Sequence, residues 1–146
     1  MDKLLIFMLL MLAGFGVSVQ GTMNGGLGKT IGTTQAAFFS FLVGTCTLGI
    51  ILLFIGKGNF SAIGSVPRWQ LLGGFLGAFY VSIAAFAVPK IGIGLSTVAV
   101  VVSQILTSMV IDHFGWFHSV QVTMNTQRIL GALLLIMGLI FIYRGT

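Results

Sequence analysis

The chain alternates long apolar runs with short polar interruptions, and the interruptions carry its charges. A bilayer's hydrocarbon core, about 30 Å thick, is crossed by about 20 apolar residues in a helix. Five stretches reach or approach that length, over about 4–23, 33–55, 69–88, 92–111 and 128–143. The fifth is the shortest, so either it begins within the preceding loop or Arg128 and Arg144 snorkel to the two surfaces. Apolar segments rich in Val and Ile also suit strands. Membrane strands, however, alternate in polarity over about ten residues, and LLIFMLLML and ILGALLLIMGLIFIY do not alternate. Glycine would weaken a soluble helix but is common in membrane helices. The pattern predicts an all-α integral membrane protein whose 146 residues form a single transmembrane domain.

Composition narrows the function. Only 6% of residues are charged and 57% are hydrophobic, against about 25% charged in a soluble domain. Mean hydropathy is +1.12. The chain has two acidic residues, Asp2 and Asp112, and no Glu. That removes most acid/base enzymes and carboxylate metal sites. Net charge is +5, yet the basic residues are scattered between apolar runs and form no patch of the kind that binds nucleic acid. Cys46 is the only cysteine, which excludes an intrachain disulfide framework. The opening MDKLLIFMLLMLAGFG resembles a signal peptide, but Asp2 spoils its positive start and no good cleavage site follows. It is expected to remain as the first helix. Gly56–Pro67 is a Gly/Ser/Pro linker, Pro89-Lys90 is expected to turn the chain, and Asp112–Gln127 is the longest connection. Within it Trp116 and Phe117, beside His113 and His118, suit the aromatic belt at headgroup level.

Three motifs have a chemical and a structural reading. GGLGKT (Gly25–Thr30) ends like a phosphate-binding loop, but Met23 stands where that motif needs its first glycine. A glycine-rich turn between helices is expected instead. Asp112, His113 and His118 are too few for a zinc site, so neither a metal nor a cofactor is expected. Asp112 is read as the polar end of the fourth helix, pairing with Arg128 on the same side of the membrane. That pair, with His113 beside it, closes a loop or forms a gate. Small residues at four-residue spacing (Ala36-Ser40-Gly44, Gly73-Gly77, Gly21-Gly25) let helices approach closely in lipid.

Polar residues within the spans are more informative, because each is costly in hydrocarbon without a partner or a cavity. Ser96, Val100, Gln104 and Ser108 follow one another at i, i+4 along the fourth span, with Gln104 near its middle. Tyr80 is near mid-depth in the third span. Gln20 and Asn24 are one turn apart in the first, and Gln35 and Ser40 lie early in the second. Such residues either join helices by hydrogen bonds, each worth under about 2 kcal/mol, or line a substrate site at the midplane. Gln104 and Tyr80 divide evenly between the two readings, and Ser40 favours the first. No Asp, Glu, Lys or Arg falls at mid-depth, so a proton relay has no obvious carrier.

The order VQGTMNGGLGKTIG, AAFFSFLVGT, LLGGFLGAFYVSIAAFAVPKIG, STVAVVVSQILTSMVIDHFG and QRILGALLLIMGLIF spans nearly the whole chain. It resembles the half-size, five-helix inner-membrane exporters of the drug/metabolite transporter superfamily. The resemblance rests on Gln20 with Asn24, Pro89-Lys90-x-Gly92, Gln104 and Asp112-His113-Phe114-Gly115. It implies one half of an inverted-repeat bundle in the bacterial inner membrane. Larger members join two inverted five-helix halves, and four-helix members dimerise antiparallel. This chain has a fifth helix and lacks the membrane glutamate of the latter. The implied function is secondary transport of a small metabolite by a dimer, with Gln104, Tyr80, Gln20, Asn24, Ser96 and Ser108 facing substrate. The expected partner is a second, oppositely oriented copy or a similar five-helix chain. Two rival readings are a non-transporting subunit of a larger membrane complex and, last, an interfacial enzyme using Asp112 and His113.

Overall fold

A computed structural model of the chain describes residues 3–145. Asp2, on which the leader reading turned, and Thr146 lie outside them. The described residues form five α-helices and no strand: α1 (Lys3–Ile31), α2 (Thr33–Ile55), α3 (Gly73–Ile91), α4 (Ile93–Phe114) and α5 (Thr126–Arg144). All five are long and apolar enough to cross a membrane, α3 together with the 3-10 turn at Arg68–Leu72 that leads into it. The chain divides into two compact units, one ending at Lys90 and one starting at Ile91.

In the first unit, α1 and α2 are separated by one residue. Gly32 has φ 99° and ψ 149°, a region open essentially to glycine alone. Its N–H donates to Gly28 O at 3.0 Å, and its carbonyl accepts from Ala36 N at 2.9 Å. With the reversal confined to one residue, the backbone before it stays helical. In hydrocarbon this matters, because an unpaired peptide group is costly.

GGLGKT is therefore the last part of α1 and not the expected turn. Its glycines serve close approach. A Cβ at Gly25 would stand 3.1 Å from Val88 Cγ1 and 3.3 Å from the Pro89 ring, and one at Gly28 would stand 3.4 Å from Ala85 O. Ala85 is four residues before Pro89, whose ring nitrogen has no hydrogen to donate to that carbonyl. Asn24, Gly25 and Gly28 are buried on α1, as are Ala36 and Ala37 on α2. Asn24 Nδ2 donates to Ser40 Oγ at 3.2 Å. A Cβ at Gly77 would meet the Phe41 ring at 3.2 Å, whereas Gly44 and Gly73 have open space before them. The small-residue spacing thus marks close contacts at some positions and open space at others.

Pro89 also differs from expectation. It lies inside the last turn of α3, and the break between α3 and α4 falls at Gly92, with φ 81° and ψ 159°. The reason is the same as at Gly32: a glycine-only conformation lets helix follow helix. Lys90 Nζ sits 3.7 Å from the Phe86 ring centroid, a cation–π contact at the negative end of α3.

In the second unit, α4 and α5 pack against each other. Leu95, Val102 and Met109 are buried at seven-residue spacing on α4, and Ala132 is buried on α5. Helix α4 ends at Gly115 in the left-handed conformation (φ 63°), a common helix stop. Phe117 and His118 follow at φ 58° and 63°, where side chains are rarely held. Asn125 caps α5, its Oδ1 accepting from Arg128 N at 2.8 Å.

Gly32→Ala is expected to lower stability by about 1–3 kcal/mol, the cost of a side chain in that backbone region. Gly14→Ala, in a helix with nothing within 4 Å, is expected to be neutral or slightly stabilising. Denaturant unfolding of the purified chain in detergent, followed by circular dichroism, checks both.

Candidate functional site

The polar residues of α4 differ in exposure along the helix. Ser96 is buried, and its hydroxyl donates to Gly92 O at 2.7 Å within the helix's own first turn. Gln104 comes two residues after the buried Val102, about 200° round the helix at 3.6 residues per turn. It therefore lies opposite the Leu95–Val102–Met109 seam and is exposed. Thr107 and Ser108 are exposed as well, and Val100 is half-buried. Val100, Gln104 and Thr107 share the open face. The i, i+4 series drifts about 40° per step, so the closer grouping spans 100, 104 and 107. Thr107 carries no signal in the sequence, because its hydroxyl, next to Ser108, breaks the four-residue rhythm.

The other candidates lie in the first unit. Asn24 is turned towards α2 and engaged by Ser40. Gln20, one turn earlier, is exposed, as is Tyr80 on α3, with 36% of its surface accessible.

At the end of α4 the structure brings Asp112, His113 and Arg128 into one network. Arg128 Nη2 donates to Asp112 Oδ2 at 2.6 Å, and Arg128 Nη1 donates to Val122 O at 2.8 Å. The Val122 N–H in turn reaches Asp112 O at 3.0 Å. His113 Nδ1 accepts from Met124 N at 3.1 Å, and His113 O accepts from Gln121 Nε2 at 3.1 Å. With Nδ1 as acceptor, the neutral ring carries its proton on Nε2. Arg128 thus ties a carboxylate on α4 to the loop before α5, and its two-nitrogen fork holds both at once. The ring of His113 packs edge-on to Phe114 at 4.9 Å, and Phe114 stacks on Trp116 at 5.2 Å. His118 is exposed at the loop tip. Among the described residues, no three of His, Cys, Asp and Glu gather where a metal could be held. Val122, Gln121 and Met124 were not legible as partners, since each bond depends on the loop's path. Asn125, three residues ahead of Arg128, carries a helix-start signal that sequence reading could have used.

Comparison with known proteins adds three findings. Residues 5–141 match the family model DMT_YdcZ, described as "Putative inner membrane exporter, YdcZ". The chain is 30% identical over 141 residues to Inner membrane protein YdcZ of Escherichia coli strain K12, covering 94% of each chain. No solved structure matches it.

Asp112→Asn is expected to cost under about 1 kcal/mol, as for other partly exposed ion pairs. Arg128 keeps its bond to Val122 in that variant. Arg128→Gln is expected to cost more, because it releases both Asp112 and Val122. Thermal unfolding of the two variants in detergent orders them; equal losses would show that the loop does not depend on the arginine fork.

Proposed function

The chain belongs to the DMT_YdcZ family of inner membrane exporters, a multi-pass integral inner-membrane protein, and on that premise we propose that it is a secondary transporter of a small metabolite. The family relation points to transport and away from enzymatic catalysis. The observation that carries the proposal is Gln104. It is an amide in the middle third of a membrane helix, exposed on the side opposite that helix's own packing seam. Left against lipid, such a group is costly. Placed against a polar cavity or a second chain, it supplies a donor and an acceptor near the depth where many transporters hold substrate. Ser108 extends the polar face of α4, and within the first unit Tyr80 on α3 and Gln20 on α1 are exposed polar groups in their own right. Asn24 contributes by holding α2 to α1. The Asp112–Arg128 pair is the gate, since it is made of charges at a helix end and can open without exposing a charge to hydrocarbon.

Transport is tested with Gln104→Leu. Cells overproducing the wild-type chain are expected to raise the level of at least one metabolite in the medium. The Leu variant, inserted at the same level, is expected to return that metabolite to the empty-vector value. Export unchanged by the substitution would remove Gln104 from the site. No change on overproduction of the wild-type chain would favour the non-transporting subunit.

The working unit in this reading is an antiparallel pair. With five crossings, Lys3, Lys57, Arg68 and Arg128 fall on one side and Lys29, Lys90 and Arg144 on the other. Orientation follows the Lys/Arg excess of cytoplasmic loops, and an excess of one scarcely biases it. Two opposed copies rebuild an inverted five-plus-five repeat around a midplane site. In a Cys46→Ser background with Thr146→Cys, an impermeant thiol reagent applied to intact cells is expected to label part of the protein, with the remainder labelled after permeabilisation. All-or-none labelling in cells that make only this chain, with export intact, would rule out the antiparallel homodimer.

A further inference from the structure

The segment joining α2 to α3 does more than span a gap. Its backbone winds into two short 3-10 turns, Phe60–Ser65 and Arg68–Leu72. The first is capped by Asn59, whose Oδ1 accepts from Ser61 N at 3.0 Å. Together with the end of α2, the segment encloses an open groove of about 390 Å³, with walls formed by Leu52, Phe60, Ile63, Val66 and Leu71. Two amides, Asn59 and Gln70, also line it. Lys57 immediately precedes the lining residues Gly58 and Asn59, and Arg68 stands two positions before Gln70. No acidic residue lies in the segment. Outside the groove the surface stays apolar, with Ile55 69% and Leu72 56% exposed.

Position selects the occupant. The segment runs from the end of one membrane helix to the start of the next, so it lies at the membrane surface, at the depth of phosphates and glycerol esters. Exposed apolar side chains there rest in the acyl boundary, and Trp69 is of the type enriched at that level. Basic residues at the same level attract anionic headgroups. We propose that the groove between the end of α2 and the Gly58–Leu71 segment binds an anionic phospholipid. The upper part of an acyl chain covers the apolar wall, and the phosphate meets Lys57 and Arg68. Asn59 and Gln70 stand where ester oxygens fall. An apolar pocket with a small number of polar groups is the usual form of a small-ligand site.

The test uses the full-length chain in detergent micelles, where orientation in a membrane plays no part. Phosphatidylglycerol and phosphatidylcholine of identical acyl chains are titrated separately, and bound lipid is counted by native mass spectrometry. Wild-type protein is expected to retain phosphatidylglycerol about thirtyfold more tightly, as two basic residues at the surface would give. Lys57→Gln with Arg68→Gln is expected to abolish the preference. Ala62→Trp, which fills the groove and leaves both charges, is expected to weaken binding of both lipids. Excess glycerol phosphate should not displace the lipid if the acyl chain is part of the ligand. Equal retention of the two lipids by the wild type, or a preference that survives the double substitution, would overturn the proposal. Should the double variant fail to fold, Ala62→Trp retaining phosphatidylglycerol as the wild type does would overturn it alone.

Discussion

Hydrocarbon offers no hydrogen bonds, so every polar group placed in it must find a partner within the protein or at a water-filled surface. That constraint explains the backbone first. Two of the connections between helices shrink to single glycines, Gly32 and Gly92, in conformations that other residues adopt only with strain. Helices then run almost uninterrupted, and few peptide groups are left outside the helical ladder. The wider connections, Gly56–Leu72 and Gly115–Asn125, are those that carry their own capping bonds and 3-10 turns.

The same constraint organises the side chains. Polar groups near the helix ends are tied down: Asn24 to Ser40, Ser96 to Gly92, and Arg128 to both Asp112 and Val122. Apolar faces need no such care, and large residues such as Leu53 and Phe54 are more than four-fifths exposed, as lipid contact allows. Against this background the exposed mid-helix amides, Gln104 on α4 and Gln20 on α1, are the ones that call for a function. In the proposed antiparallel pair, that function is substrate binding, and a second half-bundle would cover the face that a single copy leaves open.

Much of this was legible in the sequence. Helical class and the number of crossings followed from apolar runs that do not alternate, and the Asp112–Arg128 pair followed from opposite charges at neighbouring helix ends. What misled was soluble-protein intuition about glycine and proline. GGLGKT looked like a turn, but Gly25 and Gly28 open α1 to Val88, Pro89 and Ala85. Pro89 looked like a helix end, but it sits in the final turn of α3, one turn before the break at Gly92. The loop network around His113 was hidden for a different reason. It depends on Phe117 and His118 taking positive φ, which neither residue type signals. The face of Gln104 was half legible. Spacing gave the stripe, but only the buried Leu95–Val102–Met109 seam shows which side is already occupied.

In the proposed antiparallel pair, the open face of α4 meets the same face of an inverted copy. Helix α4 is centred between Ser103 and Gln104, so an antiparallel crossing at that centre sets Val100 of one copy beside Thr107 of the other. Disulfide crosslinking in membranes reads this directly, using differently tagged Val100→Cys and Thr107→Cys chains made together in a Cys46→Ser background. An antiparallel pair is expected to give a mixed Val100–Thr107 crosslink between the two tags, and none between two copies of the Thr107→Cys chain. A crosslink between two Thr107→Cys copies without the mixed product, or no crosslink in either case, would contradict it.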